Sequence, residues 1–363
     1  MNSPKGQSLF SLALQKFKQS FWGVFCFLYI CLCSLVAVFA YVIAPDKSIN
    51  ANQMNLSIHS KSPGFTTLVL EIPDQDKTEK SWSSWFTGKT DTNKIIPIKA
   101  YDINDNQITL TSFDETAPKE IISLDVFENP SLIKEDFIYS KTFWLGTDRY
   151  GRDMLSRLLI GTRISLSIGF VAVFISLLIG ILLGALGGYF GGFIDQAVMW
   201  LINVAWSIPT LLLVIALTLA LGKGFWQVFI AVGLTMWVEV ARVVRGQVKS
   251  VKKMPYITAA NALGYSDFRI ISRHILPNIM APVIVISAAN FAAAILIESG
   301  LSFLGIGAQP PIPTWGNMIK EHYSYIILGQ AHLAIIPGLA IMSLVMAFML
   351  VGNTLRDAFD VKG

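Results

Sequence analysis

Residues 164–189 read ISLSIGFVAVFISLLIGILLGALGGY, an apolar stretch that contains no Asp, Glu, Lys or Arg. A helix needs about 20 apolar residues to cross roughly 30 Å of hydrocarbon, and this stretch exceeds that length. The whole chain of 363 residues is 53% hydrophobic and 14% charged, a composition that no ordinary soluble domain needs to bury its core. The stretch therefore predicts an integral membrane protein.

Further stretches meet the same length requirement, so the sequence predicts an all-α polytopic membrane protein with six transmembrane helices. The predicted spans are residues 21–44, 164–189, 194–221, 226–248, 279–304 and 331–352. The first span is too long for a cleaved signal peptide, and Pro45 directly after it is a poor cleavage context. We interpret it as an uncleaved anchor, and its cysteines, Cys26, Cys31 and Cys33, as packing residues.

A polar region separates the first two spans. Residues 45–143 are rich in Ser, Thr, Asn and Asp, with short alternating runs at 66–72 and 106–111 that predict a small, β-rich extracytoplasmic insertion. A loosely ordered insertion is the alternative. Residues 1–44 are then a cytoplasmic N-terminus and first helix, and residues 144–363 a five-helix core with one long cytoplasmic loop at 252–278.

The positions of Lys and Arg predict the orientation, because positive loops stay in the cytoplasm. Lys5, Lys16 and Lys18 precede the first span, and Arg356 and Lys362 follow the last. The end of span four and the loop after it carry Arg242, Arg245, Lys249, Lys252, Lys253, Arg269 and Arg273. Six crossings place these regions on one side, so both termini are predicted to be cytoplasmic.

Residues 145–163, LGTDRYGRDMLSRLLIGTR, predict an interfacial helix that leads into span two. Thr147 or Asp148 is placed to cap this helix. Its arginines are expected to contact either lipid headgroups or a partner protein, and they are Arg149, Arg152, Arg157 and Arg163.

Two features inside the spans predict how helices pack. Gly180, Gly184 and Gly188 of span two recur every four residues, which lines one helix face with hydrogen atoms and lets another backbone approach closely. Pro209 of span three predicts a kink, because proline removes a backbone donor. The kink is either an ordinary packing feature or a hinge.

Residues 257–278, ITAANALGYSDFRIISRHILPN, predict a helix, a tight turn and a second helix. Pro255 suits the first turn of the first helix, and Gly264 suits a left-handed cap at its end. Ser266 or Asp267 is placed to cap the second helix with a side-chain oxygen, and Pro277 to end it.

This loop resembles the cytoplasmic EAA loop of ATP-binding-cassette importer permeases, in which Glu-Ala-Ala is followed at set distances by Gly and by Leu-Pro. The residues that match are Ala259, Ala260, Gly264, Leu276 and Pro277, and His274 with Ile275 completes an ending typical of peptide permeases. Thr258 occupies the usual Glu position, so this chain lacks the carboxylate of the family pattern there.

Three further segments resemble the second, C-type permease subunit of dipeptide, oligopeptide and nickel importers: residues 145–153, 298–319 and 335–360. The resemblance covers about residues 145–360, and the insertion is larger than this family leads us to expect. It implies the type I importer permease fold. It also implies a location in the bacterial cytoplasmic (inner) membrane.

The resemblance implies a division of labour. A solute-binding protein delivers substrate from outside, this chain and a second permease subunit form the path as a heterodimer, and two ATP-binding subunits drive transport. The chain has no Gly-x-x-x-x-Gly-Lys-Ser/Thr loop, so ATP and Mg²⁺ are expected on the partner chains, and this chain is expected to be no enzyme and to bind no cofactor. The implied ATPase-docking residues are Thr258, Ala259, Ala260, Gly264, Asp267, Arg269, Arg273, His274, Leu276 and Pro277.

The expected substrates are di- and oligopeptides. This expectation follows from the family resemblance and not from the chemistry of any residue in the spans. Nickel or another small solute is the alternative within the family, but the spans contain no row of His or Cys suited to a transition metal, so no metal site is predicted. An ion-coupled secondary transporter would need a charged pair at mid-membrane. A receptor, the other alternative, would need a cytoplasmic output domain. Asn290 and Glu298 are the candidates for lining the transport path.

Overall fold

The computed structural model describes residues 9–73, 84–89, 93–104, 106–113, 118–127, 132–222 and 224–360. Lys5 and Lys362, which entered the orientation argument, lie outside these ranges. The α-helices of the described residues are α1 (Leu9–Gln19), α2 (Phe21–Val38), α3 (Ala40–Ile43), α4 (Ser84–Thr87), α5 (Met154–Phe190), α6 (Gly192–Trp206), α7 (Thr210–Leu221), α8 (Phe225–Lys252), α9 (Pro255–Ala262), α10 (Asp267–Ile270), α11 (Met280–Phe303), α12 (Trp315–His322) and α13 (His332–Phe359).

The chain divides into two compact units. Unit 1 comprises Met1–Cys33, Ser165–Gln309 and Ala340–Gly363, and unit 2 comprises Ser34–Ile164 and Pro310–Leu339. Unit 2 is therefore larger than the predicted insertion of residues 45–143, because it includes the segment that leads into α5 and the segment around α12.

Among the described residues, five helical stretches are long and apolar enough to cross a membrane. They are Phe21–Val38, Met154–Phe190, Trp226–Lys252, Asp267–Phe303 and His332–Phe359. α6 and α7 together meet the same test as a bent pair, which raises the number of candidate spans to six. The predicted all-α polytopic class is confirmed.

The third predicted span is broken instead of merely kinked. α6 ends at Trp206, α7 begins at Thr210, and the two helices meet at 91°. Pro209 has ψ 126° and stands before the first residue of α7. Its ring disfavours a helical conformation at Ile208 and removes one backbone donor, so the helix cannot continue through this position.

The glycine stripe of α5 packs against a valine stripe of α8, as the spacing predicted. A Cβ added at Gly180, Gly184 or Gly188 would come within 3.0 Å of a backbone oxygen of α8. The side chains that each glycine faces are Val240, Val244 and Val248, in that order. Both stripes repeat every four residues, so the two helices stay close over about two turns.

The N-terminal helices of unit 1 pack against the last part of α13. Ala13, Phe17 and Cys26 share a hydrophobic core with Ala347 and Val351. The three cysteines are free thiols. This agrees with their interpretation as packing residues.

The insertion contains two small antiparallel sheets, which confirms its predicted β character. Its strands are β1 (Phe65–Ile72), β2 (Lys94–Ile98), β3 (Ala100–Asn104), β4 (Gln107–Thr111), β5 (Glu120–Ser123) and β6 (Ile138–Phe143). The strand orders are β2-β1-β6 and β3-β4-β5. Leu70 and Ile98 from the first sheet and Ile108 and Leu110 from the second share one core, because alternate residues of each strand point to the same face.

The start of α5 corrects the predicted cap. Asp153 accepts hydrogen bonds from the backbone amides of Leu155 and Ser156 at 2.9 and 3.2 Å, so it caps the helix in place of Thr147 or Asp148. The oxygens of those two residues are used elsewhere: Thr147 donates to the Ile58 carbonyl, and Asp148 accepts from the Arg152 amide at 2.9 Å. The predicted interfacial helix is the first part of the 37-residue α5.

Candidate functional site

The first helix of the loop ends in the predicted left-handed turn. α9 begins at Pro255, and Gly264 has φ +75°. The Tyr265 amide donates to the Ala260 carbonyl at 3.2 Å, and the Gly264 amide donates to the Asn261 carbonyl at 3.0 Å. These two bonds form a Schellman motif, which satisfies carbonyls at the helix end and requires a residue that tolerates positive φ.

The second helix departs from the prediction at both ends. Ser266 is the residue before α10, but its side chain makes no capping hydrogen bond. The chain does not stop at Pro277: it continues from α10 through a π-helical turn, Ile271–Ile275, and a 3₁₀ turn, Leu276–Ile279, into α11. The change of helix type accommodates Pro277, which has no amide hydrogen for a regular α-helix.

One face of the loop is buried against the end of α8. The residues in this core include Ile257, Ala260, Ile270 and Ile275 from the loop and Val240, Val244 and Val248 from α8, and Leu276 packs against them from the edge. Ala260 is 5% exposed. The space beside Ala260, one of the implied docking residues, is filled by this chain.

The opposite face of the loop is exposed and carries two large apolar side chains beside the Gly264 turn. Leu263 is 72% exposed and Phe268 is 81% exposed. The predicted docking residues Thr258, Ala259, Gly264, Asp267, Arg269, Arg273 and Pro277 are exposed on the loop as well. Sequence reasoning missed Leu263 and Phe268, although an apolar residue on each side of a glycine turn, out of phase with the buried face, was a usable signal.

Asp267 ties the loop to the end of α5. The Tyr189 hydroxyl donates a 2.6 Å hydrogen bond to Asp267 Oδ1. The Lys252 ammonium group lies 4.9 Å from the centre of the Tyr189 ring and donates to the Tyr189 carbonyl at 2.5 Å. The end of α5, the end of α8 and the start of α10 therefore meet at one aromatic side chain.

Tyr265 organises the turn from the other side. The Arg269 guanidinium lies 4.1 Å from the centre of its ring, and the His274 ring stacks on it at 5.8 Å. Arg269 and His274 thus have a local aromatic partner, whereas no ion pair is found for Arg273 in the part of the chain that the structure describes.

An ion cluster joins α6 to α8 within unit 1. Asp195, in the first turn of α6, accepts hydrogen bonds from Arg245 Nη2 at 2.8 Å and from Lys249 Nζ at 2.6 Å, and Arg245 Nε contacts its other oxygen. All three side chains are only partly exposed. Partial burial and multiple bonds make this pair more persistent than a typical surface ion pair.

The two candidate path residues are not brought together. Asn290 is 2% exposed and lines a cavity of about 230 Å³ within unit 1. Glu298 is fully buried, accepts a 2.6 Å hydrogen bond from Ser302, and is not among the residues of that cavity. Glu239 of α8 lines the cavity with Asn290.

A second charged cluster lies in unit 2 and joins the first segment that carried the family resemblance, residues 145–153, to α12. Arg152 Nε lies 2.6 Å from Asp148, and Arg152 Nη2 lies 2.9 Å from Glu321 of α12. Arg157 faces the same carboxylates at 3.6 and 3.8 Å. Arg152 and Arg157 are 2% and 1% exposed, so the expectation that they contact lipid headgroups or a partner protein is wrong for these two residues.

The same cluster has the spacing of a metal-binding group. Ligand atoms of Asp148, Glu321 and His322 lie within 4.8 Å of one another. Two guanidinium groups already supply positive charge to the carboxylates, which favours an ion-pair network over a metal centre. Burial lowers the pKa of His322, with partial opposition from the Met318 carbonyl and the two carboxylates. A neutral ring fits its contacts, since one nitrogen meets the Met318 carbonyl and the other accepts from the Arg149 amide.

Trp315 is the first residue of α12. Its side chain is 2% exposed, and its Nε1 donates to the Leu158 carbonyl at 3.1 Å. Trp315 therefore holds α12 to the start of α5 inside unit 2 and offers no exposed surface.

Comparison with known families places these elements in context. Residues 160–362 match the family described as binding-protein-dependent transport system inner membrane component. The chain belongs to this family. It is an importer permease of the ATP-binding-cassette class and an inner membrane component.

Similar proteins include transport permeases of known name. The permease is 42% identical over 223 residues to the glutathione transport system permease protein GsiD of Pectobacterium atrosepticum. The aligned region covers 61% of this chain and 74% of that protein. The permease is 43% identical over 219 residues to GsiD of Shigella flexneri, with coverages of 60% and 72%. An inward-facing structure of the MetNI methionine ABC transporter aligns with TM-score 0.46 and 19% identity, over 56% of this chain and 97% of that one.

Proposed function

We propose that this permease forms half of the path through which an ABC importer moves small peptides into the cell. The observation that supports a peptide substrate is the 42% identity to permeases named for glutathione transport. Glutathione is a tripeptide, so this name and the motif resemblance point to the same class of substrate.

In this proposal the chain works as one member of a complex. A second, related permease subunit completes the path, an extracytoplasmic solute-binding protein supplies the substrate, and two ATPase subunits bind ATP and Mg²⁺. Both termini and the loop at 252–278 face the cytoplasm, in keeping with the positive-inside rule. The chain itself binds no nucleotide or other cofactor.

The exposed face of the loop is the proposed contact for an ATPase subunit. Leu263 and Phe268 are 72% and 81% exposed on either side of Gly264, and apolar side chains of this size gain about 1.5–3 kcal/mol each on full burial. Arg269 and Arg273 add positive charge beside them. This combination of central apolar anchors and surrounding charge is typical of a protein interface.

Movement of the docked ATPase would reach the membrane helices through rigid connections. The loop shares a core with the end of α8, and Asp267 is bonded to Tyr189 at the end of α5. Asp195 carries the connection on to α6 through Arg245 and Lys249. A push on the Gly264 turn would thus move these helix ends together, as a rigid-body switch requires.

Docking is tested by co-purification of the ATPase subunits with tagged permease. We expect Phe268→Asp and Leu263→Asp each to abolish co-purification while the permease pair stays intact. Ile327→Asp is the matched control, because Ile327 is also highly exposed, at 91%. Ile327 lies between α12 and α13, in a segment that the predicted topology puts outside the cell. Full ATPase recovery with both loop variants would contradict the proposed contact.

Transport is tested by uptake of labelled trialanine and glutathione into cells that express the complete importer. We expect uptake that needs the solute-binding protein, stops on ATP depletion and persists when the proton gradient alone is collapsed. Uptake of Ni²⁺ without peptide uptake would contradict the peptide assignment. Loss of transport on collapse of the gradient with ATP maintained would contradict ATP-driven import.

A further inference from the structure

A cavity with four polar side chains in its lining lies beside the break between α6 and α7, among membrane helices of unit 1. Its volume is about 230 Å³. The lining residues come from both sides of the break and from α8 and α11, and the polar ones are Thr210, Thr235, Glu239 and Asn290. A cavity with several polar groups at this depth is unusual, because polar side chains inside a membrane are costly and tend to serve function.

Glu239 is an exposed carboxylate in the middle of a span, and it makes no ion pair with any residue that the structure describes. It lies near the centre of the 28-residue helix α8, about 20 Å from either end at a rise of about 1.5 Å per residue. Among the described residues no cation lies within ion-pair distance of it. Arg242, one turn along α8, stacks on the Trp206 ring at 3.8 Å instead.

Asn290 supplies a second group without a partner. Its side chain is 2% exposed, and Nδ2 makes no hydrogen bond with any described residue. A buried amide without a partner costs about 1–3 kcal/mol. Because Asn290 lines the same cavity as Glu239, a single ligand can satisfy both: a cation at the carboxylate, and a hydrogen-bond acceptor at the amide nitrogen.

We propose that this cavity is a subsite for the free amino end of a transported peptide, with Glu239 pairing with the α-ammonium group and Asn290 Nδ2 donating to the first peptide carbonyl. The inference rests on the proposed peptide import. A volume of 230 Å³ is below the roughly 300 Å³ of the smallest common ligand pockets, so the cavity takes one end of a peptide and leaves the rest in the path. Every unmodified N-terminus has an ammonium nitrogen two bonds away from the carbon of the first peptide carbonyl.

The test uses the complete importer in proteoliposomes and supplies its solute-binding protein at a fixed, saturating concentration. Trialanine is the substrate. We expect Glu239→Gln to lower the transport rate about tenfold or more, the ratio for one lost charge-assisted hydrogen bond, and Glu239→Asp to retain more of it. Asn290→Leu is expected to lower the rate as well, whereas Asp357→Asn, a control at an exposed carboxylate near the end of α13, leaves it unchanged.

Two further readings separate a subsite from a structural role. ATPase co-purification and basal ATP hydrolysis are expected to equal those of wild type in the Glu239 variants, and trialanine methyl ester, which keeps the ammonium group, is expected to show the same dependence on Glu239. Transport by Glu239→Gln at the wild-type rate overturns the subsite but leaves peptide import standing. A wild-type complex that imports no peptide overturns the proposed function first.

Discussion

Tyr189 at the end of α5 and Asp267 at the start of α10 are joined by a 2.6 Å hydrogen bond from hydroxyl to carboxylate. They are far apart in sequence, and the bond connects a membrane helix to the loop that we propose as the ATPase contact. The Tyr189 ring is 4% exposed, so the ring is held by packing and the hydroxyl is positioned by it.

Tyr189→Phe is expected to weaken coupling between ATP hydrolysis and transport. The change removes the hydrogen bond to Asp267, which contributes about 0.5–1.5 kcal/mol, but keeps the ring beside Lys252. The measurement is the amount of peptide transported per ATP hydrolysed, which we expect to fall several-fold with little change in hydrolysis. Asp267→Asn keeps an acceptor and should fall less; equal coupling in all three proteins would refute the role of this bond.

Gly184→Ala is expected to destabilise the permease. A Cβ at this position would lie 2.6 Å from the Ala241 carbonyl oxygen and 2.8 Å from Val244 Cβ, so α5 and α8 would have to separate. Overpacking of this kind costs about 1–3 kcal/mol. The thermal midpoint of the purified complex should fall, whereas Gly338→Ala, where a Cβ meets nothing within 4 Å, should not lower it.

Arg152→Met is expected to lower the stability of the protein more than the similar size of the two side chains suggests. The change removes the nearer of two guanidinium groups from the buried Asp148 carboxylate and from Glu321, and breaking a buried ion pair typically costs about 3–5 kcal/mol. Lys94→Met removes an exposed pair at 3.8 Å with Glu120 and should cost less than about 1 kcal/mol. Chemical denaturation of both variants measures the difference, and similar losses would argue against the network.

Acidification is expected to destabilise unit 2 through His322. Burial lowers the pKa of this ring in the folded protein, so below the ordinary histidine value of about 6.5 the unfolded chain binds a proton that the folded chain does not. Stability therefore falls as the pH drops below about 6.5 and stops falling at the lowered folded value. His322→Gln should flatten this dependence between pH 5 and 7, and His59→Gln, at an exposed histidine, should not.

Local features of the sequence predicted local structure well. Gly264 was expected to end a helix in the left-handed conformation and has φ +75°, because few other residues adopt it without strain. The glycine stripe of α5 was expected to allow close helix packing, and it does. The cap of α5 was assigned to the wrong residue, since Asp148 was already engaged by the Arg152 amide and only Asp153 was free to accept from the first turn.

The charged and polar groups were predicted less well, because their partners are distant in sequence. Arg152 and Arg157 had the pattern of a basic interfacial helix, but Glu321 approaches them from α12. Leu263 and Phe268 were passed over because the family motif drew attention to the small residues, of which Ala260 is buried. Pairing of Asp195 with Arg245 and Lys249 likewise depends on how α6 lies against α8.

The sequence by itself determined that this chain crosses a membrane several times, where its spans lie, and which loop has the form of a transporter's coupling loop. Those properties depend on runs of about 20 apolar residues and on the conformational limits of Gly and Pro, which act locally. The tertiary structure alone decided that Glu239 and Asn290 line one cavity and which carboxylates neutralise which arginines. Those outcomes depend on contacts between residues far apart in the chain, which no local pattern encodes.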